Sequence, residues 1–567
     1  MSEKALLSHT GPIICPFEGR DLLNAPEYNK GTAFSKDERE TFKLVGLLPP
    51  KINSLDSQVQ RAYEQYSARG TNIAKNTFLM SMKYQNHVLY FRLLQDHIKE
   101  MMSIVYTPTE GDAIEQYSRL FRRPDGVFLD IDHESEIRQS LEAWGRPGDV
   151  DYIIVSDGEE ILGIGDQGIG AIGISSAKAV LMTLCAGVHP SRIMPVALDV
   201  GTDNSDLLND RLYLGRRKPR VRGERYDSFV DKFVQTVKEV FPRAVLHFED
   251  FGLSNARRLL DLYRPQLPCF NDDVQGTGAV TLSALTAALR VIDMDFKDLR
   301  IIIFGAGTAG TGIADQIKSV MTAQGISEQL IFDHIWLVDK PGLLISKMDI
   351  LTDAQRPYAA NSENWNGIDT TSLFQIVKKI KPHVLIGCST KPKAFTEEVV
   401  KEMARHVERP VILPLSNPTR LHEAVPADLL AWTNNKALVA TGSPFDPVDG
   451  IEIAENNNCF VYPGIGMGSV LARADRITDT MIAAVVNELA EDAPINFDQH
   501  GGLLPDISDI REVSAKIATA VVLQSLKEGT ARVELLDDIT VPREKSACLS
   551  WVKERMWTPE YRNLVKM

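Results

Sequence analysis

The stretch that most restricts the fold is IIIFGAGTAG, residues 301–310. Ile301, Ile302, Ile303 and Phe304 are four consecutive apolar residues and read as a strand buried on both faces. Gly305, Gly307 and Gly310 follow with G-x-G-x-x-G spacing, and TAGTGIADQIKSVMTA then carries a helical pattern. A strand that turns through glycines into a helix opens a βαβ unit. The glycines permit the tight turn and let a pyrophosphate approach the backbone N–H groups at the helix start. Gly305, Ala306, Gly307 and Gly310 are therefore candidate dinucleotide contacts. Downstream, HIWLVD ends in Asp339, placed to accept from a ribose 2′-hydroxyl. The acid favours NAD because it repels the 2′-phosphate of NADP; Lys340 beside it acts the other way. The interval from loop to acid exceeds the usual ~20 residues, so the first helix and its loop must be extended.

The same fingerprint fits twice in ILGIGDQGIGAIGISSAK, residues 161–178, first at Gly163, Gly165 and Gly168, then at Gly168, Gly170 and Gly173. The preceding DGEE reads as part of a strand-turn-strand pair around Asp157 and Gly158. A helix is expected to start only at Ser175 or Ser176, a suitable N-cap. The stretch is not a P-loop, since Lys178 stands between Ala177 and Ala179. On this reading Lys178 sits in the first turn of an apolar helix, where a cation opposes the helix dipole. Two roles stay open for it: a lysine whose stem is buried and whose amine reaches solvent, and a working amine beside a glycine-lined cavity.

Four zones follow along the chain. Residues 1–120 carry helical spacing and form an N-terminal helical domain. Residues 121–272 alternate strand-like runs (DYIIVSD, IMPVALDV, AVLHFED) with helical ones and, with 461–530, make a second parallel α/β domain. Residues 273–460 form the Rossmann-type domain, with further strands VLIGCS, PVILPLS and ALVATGS. Residues 531–567 read as an extension packed on a neighbour. The fold class is α/β throughout, apart from the helical start.

The 62 basic and 76 acidic residues leave a net charge of −14, which argues against a nucleic-acid or acidic-membrane partner. None of the six cysteines lies in a C-x-x-C pair, so neither a zinc cassette nor a disulfide framework is expected. No apolar run long enough to span a membrane is expected, and MSEKALLSHTGPIICPFEGR lacks the pattern of a leader; the cytoplasm is the expected location.

Two acidic pairs stand at strand ends: Glu249 and Asp250 after AVLHF, and Asp272 and Asp273 in CFNDDVQGTG. Ligands of open α/β sheets collect there. These carboxylates could give oxygen ligands to Mg²⁺ or Mn²⁺, or could simply cap helices.

Taken together, GTAFSKDERETFKLVGLLPP, YTPTEG, ILGIGDQGIGAIGI, LDVGTDN, HFEDFG, FNDDVQGTGAV, FGAGTAG, LSNPT and ATGSPF resemble the malic enzymes nearly end to end, the fungal NAD-dependent branch most closely. The resemblance implies Tyr106 as general acid and Lys178 as general base, with Asp272 supporting the lysine. It implies Glu249, Asp250 and Asp273 as ligands of the divalent cation, and Asn417 and Asn458 as contacts to malate and the nicotinamide side of NAD. The implied reaction is oxidative decarboxylation of (S)-malate to pyruvate and CO₂, in a homodimer or homotetramer. One position departs from the pattern. Many malic enzymes carry an arginine before ILGxGD that grips a malate carboxylate, and here Glu160 stands there, preceded by Glu159. That loss keeps two alternatives in view: a malolactic enzyme, against which Gln167 speaks, and a non-catalytic malate or dinucleotide sensor.

Overall fold

The computed structural model describes residues 11–567 apart from 162, 418 and 534–538. The first ten residues of the helical zone, Leu162 of the glycine stretch, Pro418 of LSNPT and part of the terminal extension thus lie outside the described residues. The chain forms two compact units, one from residues up to 159 with 166–246 and 532–567, the other from 160–165 with 247–531.

The first unit opens with strand β1 (Ile13–Cys15) and, after two short helices, runs through helices α1 (Leu55–Ser67), α2 (Asn72–Lys83), α3 (His87–Asp96), α4 (Ile98–Val105) and α5 (Thr109–Glu115). Ser54, Thr71 and Asn86 cap the first three, each accepting from a backbone N–H three residues on. Their apolar stripes, such as Val59, Ala62 and Tyr66 on α1, are buried. Next come β2 (Val127–Asp130), β3 (Tyr152–Ser156), α6 (Ala171–Ala186), β4 (Ile193–Asp199), α7 (Glu224–Val240) and β5 (Val245–Phe248). Strand β4 lies between β2 and β3, parallel to both, and all seven of its residues are buried. Helix α6 packs on β3 and β4.

The glycine stretch differs from its sequence reading in three ways. The pairing near Asp157 is a single antiparallel bridge, Ile161 to Gly165, rather than a hairpin around Asp157 and Gly158. A 3-10 turn, Gly168–Gly170, leads directly into α6, so the helix starts at Ala171 and Lys178 lies well beyond its first turn. The dipole therefore does not act against the lysine there. Ser175, expected as a cap, instead donates to Val196 O at 3.1 Å and ties α6 to β4. Several of the glycines face packed neighbours, whereas a Cβ at Gly165 would meet nothing within 4 Å. A Cβ at Gly168 (φ +51°) would collide with the Tyr213 hydroxyl, one at Gly173 with Ile114, and one at Gly158 with the backbone of Gly168.

Helix α6 with its leading turn, Gly168–Ala186, is 19 residues long and apolar enough to cross a membrane. This corrects the expectation that no such stretch exists. It is nearly all buried inside the first unit.

The second unit contains α8 (Leu253–Tyr263), β6 (Cys269–Asn271), α9 (Thr277–Ile292), β7 (Ile301–Phe304), α10 (Thr308–Ala323), α11 (Glu328–Phe332), β8 (Ile335–Asp339), β9 (Gly342–Leu343), β10 (Val384–Gly387), β11 (Val411–Pro414), β12 (Leu438–Thr441) and β13 (Ala454–Glu455). Helices α12 (Tyr462–Ala472), α13 (Asp479–Glu491) and α14 (Ile510–Glu528) follow; α13 packs on α9 and α14, and α14 packs on α12. Strands β13-β12-β11-β10-β7-β8-β9 form one seven-stranded sheet, parallel except for β8–β9. The inserted helix α11 accounts for the long interval between GAGTAG and Asp339. The chain then returns to the first unit, where β14 (Leu564–Lys566) pairs in parallel with β1. The terminal extension thus packs on the start of its own chain.

Two stability predictions follow from buried charge in the first unit. Arg220 is closed in between Asp157 and Asp166, with Nε 2.7 Å from Asp166 Oδ2 and Nη2 2.8 Å from Asp157 O, while Tyr226 donates to Asp157 at 2.7 Å. Arg220→Ala strands two acids, and chemical denaturation should show a loss of about 3–5 kcal/mol. Glu110 on α5 is half-buried in the wall of a cavity, and desolvation pushes its carboxyl up to about 8. Below its ordinary range both folded and unfolded forms are protonated and the group is neutral for stability. As pH rises from about 4.5 to 8 the unfolded chain ionises first, and the folded state loses stability. The Tm of Glu110→Gln relative to the parent should therefore climb between pH 5 and pH 8 and level off above that.

Candidate active site

The acidic cluster forms where β5 ends. Backbone direction reverses at Asp250, whose φ of +54° is left-handed. That turn brings its amide 2.8 Å from Asp273 Oδ2. Glu249, Asp250 and Asp273 then offer oxygens that all lie within 4.8 Å of one another, each side chain buried. His247 Nε2 lies 2.6 Å from Glu249 Oε2, and its ring meets Phe270 and Tyr462 edge to face. Three buried carboxylates in such a group are a donor set for a hard divalent cation. An all-oxygen set of this kind suits Mg²⁺ or Mn²⁺; His247, Glu249 and Asp272 form a second buried group that shares Glu249.

Asp272 and Asp273 stand on a π-type turn, Asp272–Gly276, whose start is capped by Asn271 accepting from Val274 N at 3.0 Å. The cap belongs to Asn271, so the aspartates are left for other work. Asp272 accepts from Asn458 Nδ2 at 2.9 Å, and Asn458 also donates to Thr277 Oγ1 at 3.2 Å. A Cβ at Gly276 would collide with the Asp272 carboxylate, which is why the QGT glycine is needed.

In the first unit, α6 carries Lys178 and the end of α4 carries Tyr106. The lysine Nζ sits 5.4 Å from the centroid of the tyrosine ring. Lys178 is only 1% exposed, so its amine does not reach solvent.

The glycine loop at 305–310 closes β7 at the point where β8 leaves on one side and β10 on the other. This is the switch point of the sheet, where ligands of doubly wound folds bind. A Cβ at Gly305 (φ +113°) would strike the Cys388 backbone, and one at Gly310 would strike Gly305 O. A Cβ at Gly307 would meet nothing within 4 Å, so this glycine alone of the three faces open space. Asp339 ends β8, and Gln355 Nε2 joins it to the loop, donating to Ala306 O at 2.8 Å and to Asp339 Oδ2 at 3.4 Å. Asn417 follows β11 and accepts from Ser443 Oγ at 2.5 Å. Glu423 fastens the neighbouring loops, accepting from Ser389 N and Oγ at 2.8 Å each and from Ser416 Oγ at 2.5 Å.

Comparison with known proteins identifies the family. The family model for the malic enzyme N-terminal domain matches residues 83–264, and that for the malic enzyme NAD binding domain matches 274–526. The chain belongs to the malic enzyme family. It is 54% identical over 571 residues to the mitochondrial NAD-dependent malic enzyme of Saccharomyces cerevisiae, covering 99% of this chain and 85% of that one. It is 45% identical over 563 residues to the NAD-dependent malic enzyme of Schizosaccharomyces pombe, covering 98% and 99%. The crystal structure of Entamoeba histolytica malic enzyme shares the fold, with a TM-score of 0.54 at 22% identity over 92% of each chain.

Within this malic enzyme family member the position that departs from the expected arginine has a local explanation. Glu160 Oε2 accepts from Leu253 N at 2.9 Å, at the start of α8, and Glu160 N donates to Asp250 O at 3.3 Å. A carboxylate suits a helix N-terminus, and this one braces the turn that carries Glu249 and Asp250. Gln355, Glu423 and Ser389 were not anticipated from sequence; none belongs to a recognisable motif.

The three glycines of the loop should separate in mutagenesis. Gly310→Ala should lower thermal stability by about 1–3 kcal/mol through overpacking. Gly307→Ala should leave the Tm of the free protein unchanged and weaken NADH binding in a fluorescence titration. Equal behaviour of the two variants would contradict this geometry.

Proposed function

We propose that the chain oxidatively decarboxylates (S)-malate to pyruvate and CO₂ with reduction of NAD, using Mg²⁺ or Mn²⁺. The observation that carries this reading is the buried group of Glu249, Asp250 and Asp273 in a chain whose relatives are named NAD-dependent malic enzymes. Those three carboxylates would hold the cation, and Gly305, Ala306, Gly307, Gly310 and Asp339 would hold the dinucleotide. When bound, the cation supplies a Lewis acid for a carbonyl oxygen and the dinucleotide supplies a hydride acceptor.

The chain's own residues do the rest. Lys178 takes the proton of the malate C2 hydroxyl, and Tyr106 delivers a proton to C3 of the enol left after CO₂ departs. Asp272, oriented by Asn458, belongs to the catalytic set. Asn417 and Asn458 contact malate and the nicotinamide side of the cofactor. In this reading residues 121–272 with 461–530 serve substrate and metal, 273–460 serve NAD, and 1–120 and 531–567 supply subunit contacts in a homodimer or homotetramer.

All six cysteines are free thiols, which fits a reducing compartment. The cytoplasm is the compartment proposed from sequence, whereas the relative from Saccharomyces cerevisiae is named mitochondrial; cell fractionation decides between them.

NADH absorbance should rise when malate, NAD⁺ and Mn²⁺ are supplied together, and chelation should abolish it. Lys178→Ala should lower kcat by ~10²–10⁴-fold and retain dinucleotide binding. Lactate formed without net NADH would replace this reading with malolactic conversion. No turnover with either dinucleotide would leave a sensor.

A further inference from the structure

Tyr106 occupies a short connection between α4 and α5, and one side chain from α2 holds that connection from both sides. Asn76 Nδ2 donates to Ile104 O at 2.9 Å, two residues before the tyrosine. The same nitrogen donates to Glu110 Oε2 at 2.9 Å, four residues after it. Glu110 N in turn donates to Tyr106 O at 2.9 Å. Both amide hydrogens of one carboxamide are thus used on the two flanks of the tyrosine. Asn76 is 4% exposed, so its bond to Ile104 O is shielded from water.

Packing alone does not account for this pair. Asn76 and Glu110 line the wall of a cavity of about 640 Å³, together with Ile114, Asp125 and Ser176. An apolar pair would satisfy that wall at lower desolvation cost. What a polar pair adds is a fixed backbone position. Lys83 and Asp125 are the charged groups that act on Glu110, and they engage each other at 2.6 Å while Lys83 reaches Ser176 Oγ at 3.0 Å. Ser176 is on α6, the helix that presents Lys178. The same wall therefore braces the segment of Tyr106 and the helix of Lys178.

We propose that Asn76 and Glu110 are positioning residues for Tyr106, clamping its backbone so that the hydroxyl is held where the proton is delivered. This rests on the reading of Tyr106 as the general acid, and the experiment separates the two. Tyr106→Phe, Asn76→Ala, Glu110→Ala, Glu110→Gln and the double variant Tyr106→Phe/Asn76→Ala are compared for kcat, KM for malate, NADH binding and Tm. Tyr106→Phe should lose ~10²–10⁴-fold in kcat. Displacement of the acid by a fraction of an ångström to one ångström should cost Asn76→Ala and Glu110→Ala about 10–100-fold in kcat. KM and NADH affinity should hold within about threefold. Glu110→Gln retains the acceptor oxygen and should keep kcat within about threefold of the parent. In the Tyr106→Phe background, Asn76→Ala should cost nothing more, because its effect passes through the hydroxyl.

Full activity in Tyr106→Phe overturns the acid assignment itself. A large loss in Tyr106→Phe with kcat unchanged in Asn76→Ala and Glu110→Ala overturns the clamp alone. Additive losses in the double variant, or Glu110→Gln as poor as Glu110→Ala, also overturn the clamp. If Asn76→Ala does not fold, Asn76→Ser and Glu110→Ala carry the same comparison.

Discussion

The carboxylate of Asp166 organises the first unit. It accepts from Arg220 through both oxygens, at 2.7 and 2.9 Å, and also from Gly168 N, Thr202 Oγ1 and Asp203 N. Five donors on one side chain hold the entrance of α6 against the loop that follows β4. The arginine is buried and is shared with Asp157, so its removal would leave both acids without their cation. Everything downstream on α6, Lys178 included, inherits its position from that junction. Gly168 and Gly173 serve the same end, giving room for Tyr213 and Ile114.

The second unit uses strand ends instead. A left-handed residue at Asp250 and a π-type turn at Asp272–Gly276 gather carboxylates that repel one another, and the surrounding structure holds them there. Glu160 contributes by capping α8 and bonding to the Asp250 carbonyl. At the switch point of the seven-stranded sheet, Gln355 and Glu423 join loops that leave different strands. The acidic cluster and the glycine loop are thus each built from short loops on rigid strands, which suits precise placement.

How much of this was legible in sequence follows from the range of the interactions. Strands β7, β8, β10, β11 and β12 were readable because consecutive apolar residues, most of them buried, dominate each one. Helix α10 matched its reading residue for residue, since strand, glycines and helix are adjacent in the chain. Strand β6 carries only three residues, too few for a period to show. The start of α6 was misplaced because a run of glycines and isoleucines has no amphipathic period, and contacts with Tyr213 and Asp166 decide it. The acidic pairs stood out at strand ends, but their convergence depends on the left-handed turn at Asp250. Gln355 reaches a loop 49 residues away and Glu423 one 34 residues away, and no local pattern reports such partners.

Helix α6 has a further consequence. A nascent chain presents Gly168–Ala186 before its sheet exists, and a segment of that length and apolarity is what insertion machinery selects. Lys178 falls near its middle, where a charged side chain opposes insertion by about 2.5–3.5 kcal/mol. The residue proposed for proton transfer thus also opposes insertion of the unfinished polypeptide into a bilayer.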